Sequence, residues 1–331
     1  MRLALCCLAL GLLALPARAQ TAADRAADAA ISADFAADAG QTFFSQAWLS
    51  DTIERRTARS LDQVPRVHYE YYVVPEGQNR LQARLELYRR FGDRDVVRPL
   101  LWILNRNDLE DLRPGDTLVV PSHFGLDFRA YSPFPRYYPG GREVGKLVVL
   151  DKNVQAWAAY DGGVLQRWGI ISTGAQSNRT PSGRFNVNWK QEYRVSTLSP
   201  PGEPWEMYWV MNLHEARGIH MHQYALPTGG PASHGCIRML EPDAKWLYEW
   251  TDGWVVQNQR QHISSAGGRI VRQGTMVLII GEDINGPPHP FVFREDHPVI
   301  RMVALPPSPW DVPPGSPQQQ QFDRQRARAS S

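Results

Sequence analysis

Excess charge is missing from this 331-residue chain: 36 Lys and Arg stand against 34 Asp and Glu. That near-balance gives no electrostatic reason to expect nucleic acid or an anionic membrane as a partner. Long apolar runs are scarce too. Leu3 to Leu15 is one, and it is too short to span a bilayer comfortably. With Arg2 before it and Ala17-Arg18-Ala19 after it, the run reads as an export signal (1–19) cleaved before Gln20. No transmembrane segment is expected in what remains, and the expected location is the periplasm or an equivalent cell-wall compartment. Cysteine is the scarcest residue of interest, with three in the chain. Cys6 and Cys7 leave with the signal, so the mature chain keeps Cys236 alone and has no internal disulfide to make. A lone thiol is usually a small buried hydrophobe. Its surroundings have to argue otherwise.

Turn formers and large rings, by contrast, are plentiful: 26 Gly, 26 Pro and 11 Trp. Residues 20–66, rich in Ala, Asp and Arg, are read as a helical, partly ordered arm. Residues 67–122 form a small unit. HYEYYVV has strand composition, Leu81, Leu85, Tyr88 and Phe91 recur at helical spacing up to Gly92, and Val96–Leu104 reads as a second helix with Pro99 in its first turn. A Pro-Gly-Asp turn and a short strand close the unit. Residues 123–143, with Phe, Tyr and Pro alternating, read as an extended linker. From 144 to 283 strand signals dominate: KLVVLDK, VQAWAAY, VLQRWGIIST, FNVNWKQ and GTMVLIIG, with one helix from Pro242 through Trp246, Leu247 and Trp250. The tail 284–331, rich in Pro and then Gln, has too few apolar residues to fold and is expected to be disordered. The expected class is mainly β (α+β), an antiparallel β-rich domain preceded by a small βααβ unit and a helical arm.

The chemistry concentrates between Gly218 and Met239. Cys236 sits in Ser233-His234-Gly235-Cys236, with His220 sixteen positions upstream and Arg238 two beyond. An imidazole brought to a thiol by a loop can take its proton and make a nucleophile. Gly235 removes a side chain where an acyl group has to approach, and the N–H groups of Gly235 and Cys236 can serve a developing oxyanion. Ser233 can orient an imidazole. Arg238 can grip a carboxylate with its planar fork. The histidines His214, His220, His222 and His234, with Cys236, are also dense enough for zinc, since alternate residues of a strand share a face. A zinc-dependent cell-wall hydrolase therefore stays open as an alternative, as does a non-catalytic cell-wall-binding protein.

Residue by residue, the stretch resembles the YkuD-type L,D-transpeptidases. Ile219-His220, twelve intervening residues and then SHGCIRM match the family pattern. Thr173-Gly174, Thr180-Pro181-Ser182-Gly183-x-Phe185 and Met207-Tyr208-Trp209 support it, and the likeness runs from about Lys146 to Glu282. The resemblance implies a thioester route with Cys236 as nucleophile and His220 as general base, without cofactor or metal. His234, Ser233, Gly235 and Met221 line the site (Met221 through its carbonyl, which orients the base), and Arg238, Tyr208 and His222 contact substrate. One departure is Met221-His222, where Gly-Thr often stands. The implied donor is a peptidoglycan stem tetrapeptide that loses terminal D-alanine. The acceptor is an amine of another stem peptide, a lipoprotein lysine or a D-amino acid, or else water. LNRNDLEDLRPGDTLVVP, closing the unit at 67–122, resembles a LysM module, which implies binding to glycan strands. Glu76–Leu81 departs from that family's usual Gly-Asp-Thr-Leu.

Overall fold

The computed structural model describes residues 49–54, 58–226, 230–257 and 269–329. The predicted export signal and most of the predicted arm lie outside the described residues. In chain order the regular elements begin with α1 (Ser50–Glu54), β1 (Tyr69–Val73), α2 (Arg80–Phe91), α3 (Arg94–Asn105) and β2 (Thr117–Pro121). β1 and β2 pair antiparallel, so residues 67–122 have the βααβ order the sequence predicts. Asn79 caps α2 by accepting from Gln82 N at 2.9 Å, and Gly92 ends it. α3 starts two residues earlier than expected, because Asp93 caps it and accepts from Asp95 N. Pro99 therefore falls inside the helix, not in its first turn.

The larger part runs β3 (Lys146–Asp151), β4 (Ala156–Asp161), β5 (Val164–Ser172), β6 (Gly183–Asn186), β7 (Lys190–Val195), β8 (Glu206–His214), β9 (Ile219–Gln223) and β10 (Ile237–Met239). There follow α4 (Glu241–Trp250), β11 (Val255–Gln257), β12 (Arg269–Arg272), β13 (Met276–Ile280), β14 (Phe291–Val292), β15 (Val299–Ile300) and α5 (Pro317–Ala329). Nine of these strands form one sheet in the order β6-β13-β3-β4-β5-β10-β9-β8-β7. It is mixed, not antiparallel as expected. β13 runs parallel to β3 and β10 parallel to β9, because each pair is joined by a long crossover, not a hairpin.

Both faces of the sheet are covered. Along β3, Leu147 and Val149 join one core and Val148 and Leu150 the other, as strand alternation requires. α4 covers the second face with Ala244 and Leu247. The first is covered by Leu100, Ile103 and Leu104 of α3 and by the segment read as a linker. That segment is core. Phe128, Tyr131, Phe134 and Tyr138 are buried, and Phe128 stacks on Trp168 of β5 with centroids 4.6 Å apart. Each ring so buried contributes roughly 1.5–3 kcal/mol, enough to fix the segment and to join the βααβ unit to the sheet.

The tail is also ordered. Phe291 packs edge-on against Tyr69 of β1, and Tyr71 donates to Arg294 O at 2.7 Å. Pro313 O accepts from Arg184 N at 2.7 Å, and Gly315 N donates back to Arg184 O at 2.8 Å, so the chain runs along the β6 edge. α5 then fastens to Arg184 through Asp323. The low apolar content that predicts no fold is offset by buried polar pairing of this kind.

Candidate active site

Strand alternation and one parallel pairing assemble the site. On β9, Ile219 and Met221 point into the core, so His220 and His222 face the opposite way. On β10, Ile237 and Met239 are core residues and Arg238 faces the cleft. The register sets Ile237 beside Met221 and Arg238 beside His222. One step back along it, Cys236 comes beside His220. The Cys236 Sγ lies 3.7 Å from His220 Nδ1 and 3.5 Å from the Gly218 carbonyl oxygen.

The loop before Cys236 is held by hydrogen bonds to its own and to neighbouring backbone. Ser233 Oγ donates to Cys236 O at 2.6 Å and accepts from Gly235 N at 3.1 Å. Thr180 Oγ1 accepts from Gly174 N at 2.8 Å and donates to Gly235 O at 2.9 Å. Ala232 N and Ser233 N both donate to Thr173 O. The Thr-Gly and Thr-Pro-Ser-Gly motifs therefore act as braces. Gly235 has φ +109, and a Cβ there would lie 3.1 Å from Ile219 Cδ1, so the turn itself demands glycine. Gly174 is fixed by space, because a Cβ there would meet Asn178 O at 2.0 Å.

Electrostatically the resting pair is neutral. Burial, with His222 and Arg194 adding to it, pushes the His220 imidazole down to about 3, while the Gly218 carbonyl works the other way. Burial raises the Cys236 thiol above its ordinary value, against the pull of His220 and Arg238. A neutral imidazole facing a neutral thiol is an arrangement for general-base transfer on demand, not a standing ion pair. His222 is likewise held neutral, at about 4 by burial, and its Nδ1–H donates to Gln223 O at 2.9 Å. Arg238 carries its guanidinium over the Tyr224 ring, 4.7 Å from the centroid.

The cleft has a volume of about 510 Å³ and takes in Cys236, His220, His222, His234, Ser233 and Arg238. Four sequence-based roles change. Met221 is fully buried on the far face, and the carbonyl that favours a protonated His220 is that of Gly218. Tyr208 is exposed on the outer part of β8, its ring tilted against that of Tyr193, and does not line the cleft. The Gly235 N–H is already donated to Ser233, so it is not available to an oxyanion, and Ser233 serves the loop backbone instead of an imidazole. His234 is exposed, its ring 5.1 Å from that of Trp205. His214 packs near Phe185, accepts from Arg217 N and stays outside the cleft. Among the described residues no three His, Cys, Asp or Glu side chains form a group able to hold a metal.

Some cleft residues carry no local sequence signal. Trp189 sets its ring 5.2 Å from that of His220, and the Arg194 guanidinium lies over the same indole at 5.3 Å. Arg217 and Glu215 border the cleft from the turn after β8. Only the β7–β8–β9 pairing brings β7 and its flanking residues to the base. Alternation along β7 is the one available hint.

The geometry has a counterpart in known sequences: residues 145–279 match the family model of the YkuD L,D-transpeptidase catalytic domain. On that match, residues 145–279 are similar to a YkuD-type L,D-transpeptidase catalytic domain. Over 118 residues the chain is 32% identical to YciB of Bacillus subtilis (strain 168), itself an inferred L,D-transpeptidase. That likeness covers 31% of this chain and 61% of the relative's length. Among solved structures, an L,D-transpeptidase from Mycobacterium smegmatis is 20% identical with a TM-score of 0.32, covering 41% of this chain and 58% of that one. One from Enterococcus faecium is 22% identical with a TM-score of 0.30, covering 41% and 50%. The assignment of the YkuD domain rests on the sequence match, not on these superpositions.

Proposed function

We propose that the chain is a peptidoglycan L,D-transpeptidase in which Cys236 is the nucleophile and His220 the general base. The observation that carries the reading is the 3.7 Å approach of Cys236 Sγ to His220 Nδ1 on the floor of the cleft. In this reading His220 Nδ1 takes the thiol proton as Sγ attacks the carbonyl at the L-centre of the third stem residue. The Gly218 carbonyl steadies the imidazolium that forms. The tetrahedral oxyanion is met by the peptide N–H of Cys236, since that of Gly235 is engaged. The imidazolium then protonates the leaving amine, D-alanine departs, and a thioester remains on Cys236. An amine acceptor, or water, reverses the sequence and frees the thiol. The acceptor is a second stem peptide, a lipoprotein lysine or a D-amino acid.

Arg194, Arg217 and Arg238 border the cleft against a single carboxylate, Glu215, which suits a donor bearing carboxylates. Action outside the cytoplasm, in the periplasm, follows from the substrate. Among the described residues no helix is long and apolar enough to cross a membrane. The βααβ unit would bring glycan strands to the enzyme if its LysM-like sequence acts as such modules do. Mass spectrometry after incubation with a disaccharide-tetrapeptide tests the main reading. The expected adduct sits on Cys236 and lacks one D-alanine. An unmodified Cys236 with intact substrate would refute it, and activity lost to a chelator and restored by zinc would favour the hydrolase instead.

A further inference from the structure

We infer that Arg106, at the C-terminal end of α3 in the βααβ unit, is a positioning residue for the loop that carries Cys236. The inference rests on the reading of Cys236 as the nucleophile. Arg106 is buried, caps α3 with φ +55, and reaches out of its own unit into the sheet domain. Its Nη1 donates to Gln155 O and its Nη2 to Val154 O, both at 3.1 Å. Gln155 is itself left-handed, with φ +49, and is fully buried. Two side-chain-bearing residues in this sparsely populated region meet at one contact, and such backbone persists where its surroundings over-determine it.

From Gln155 a connected path leads to the nucleophile. The Gln155 side-chain amide brackets Thr173, accepting from Thr173 N at 2.9 Å and donating to Thr173 Oγ1 at 2.8 Å. Thr173 O accepts from Ala232 N and Ser233 N at 2.9 and 3.1 Å. Ser233 Oγ donates to the Cys236 carbonyl. Every link is a hydrogen bond between buried groups or to the loop backbone, so none can shift without leaving a polar group unpaired. Arg106 is thus a peg from one unit that fixes the turn on which the Thr173 strand end, and through it the Cys236 loop, is seated.

The test uses the full chain and two readouts: iodoacetamide labelling of Cys236, followed by mass spectrometry of its peptide across pH, and turnover of the disaccharide-tetrapeptide. For Arg106→Met the labelled fraction is expected to stay complete. The labelling rate constant falls about tenfold, its pH profile moves upward, and kcat falls with KM unchanged, as for a small misplacement of reacting groups. If the labelled fraction falls while the rate constant and pH profile of the remainder stay at the wild-type values, Arg106 only holds its unit in place and the inference is overturned. Should Arg106→Met not fold, Arg106→Lys decides by the same readouts, since one ammonium cannot serve both carbonyls as the fork does. A wild-type enzyme that labels normally but does not turn over tetrapeptide would overturn the transpeptidase reading instead, leaving the labelling comparison to decide on Arg106.

Discussion

At its β6 edge the nine-stranded sheet is sealed, and at its β7 edge it is open. Along β6 the C-terminal segment exchanges backbone hydrogen bonds with Arg184. The guanidinium of Arg184 forms two hydrogen bonds to Asp323 of α5, at 3.1 and 2.7 Å, and lies over the Trp310 ring. Along β7, Tyr193 and Val195 are 42% and 39% exposed, and the cleft opens beside them. An uncovered edge is a liability that proteins close by charge, bulges or a covering segment. This protein closes the edge away from the chemistry and leaves the one beside it accessible. Stability and catalysis are therefore expected to answer to different edges, and substitutions can separate them.

The largest effect is expected at the open side. His220→Ala is expected to lower turnover by on the order of 10²- to 10⁴-fold, the usual contribution of a positioned general base, with little change in melting temperature. His222→Ala, whose Nδ1 is spent on Gln223 O, is expected to cost far less. Steady-state kinetics on the two variants decide this. Equal losses would mean that the two histidines act as a pair.

At the sealed side the expectation is reversed. Arg184→Met leaves Asp323 without its partner and removes the stack on Trp310, which is expected to cost about 3 kcal/mol, as for other largely buried pairs broken from one side. Denaturant melts should register it, while the iodoacetamide labelling rate of Cys236 stays at its wild-type value. A fall in labelling rate would show that the two edges are coupled.

Acid should act on the open side through its buried histidines. The folded state holds His222 at about 4, below its ordinary 6.5, because the ring is buried. A depressed histidine adds stability above its unfolded value and loses it as the pH falls toward the folded one. Between pH 6.5 and 5 His222 alone should account for a loss of roughly 2 kcal/mol, from the linkage of proton binding to unfolding. His222→Asn should make that part of the stability–pH curve less steep, with His220, held at about 3, keeping the rest of the slope, and Arg184→Met should leave the slope unchanged.

The two sides were not equally legible in the sequence. Cys236, His220 and Arg238 sit in a short motif, and the strand alternation that turns Ile219 and Met221 inward also turns the histidines outward. Local reasoning suffices there. It fails for Met221 and Tyr208, because which carbonyl faces His220 and which part of β8 reaches the cleft depend on the pairing of β8 with β9. The bulge between Tyr208 and Met211 hides that pairing from the sequence. It fails more fully at the sealed edge. α5 has few apolar residues, and its stability comes from a partner 139 positions away in sequence. The linker reading failed for a related cause: Phe128, Tyr131 and Phe134 look like an extended Pro-rich stretch until Trp168 and the sheet face are placed against them.

The smallest expected effect is the most direct test of whether the edges are independent. Gln318 of α5 donates from Nε2 to Glu215 Oε2 at 3.1 Å, and Glu215 borders the cleft. The sealing helix thus touches the open side through a neutral side chain. A single hydrogen bond from an amide to a carboxylate contributes on the order of 1–2 kcal/mol net, and less where water can replace it. Gln318→Ala should therefore lower stability by less than about 1 kcal/mol, because the Arg184–Asp323 pair and the backbone pairing along β6 remain. It should leave kcat unchanged, because Glu215 is not among the groups that meet the thiol or its base. KM for a donor bearing carboxylates is the sensitive quantity, because Glu215 shares the cleft lining with Arg194, Arg217 and Arg238, and loss of the Gln318 amide changes the setting of that carboxylate. A rise in KM of about twofold, with kcat and melting temperature steady, would confirm that the helix tunes the cleft through Glu215. A fall in kcat of tenfold or more would mean that sealing one edge shapes the catalytic geometry at the other, and the separation of the two edges would have to be given up.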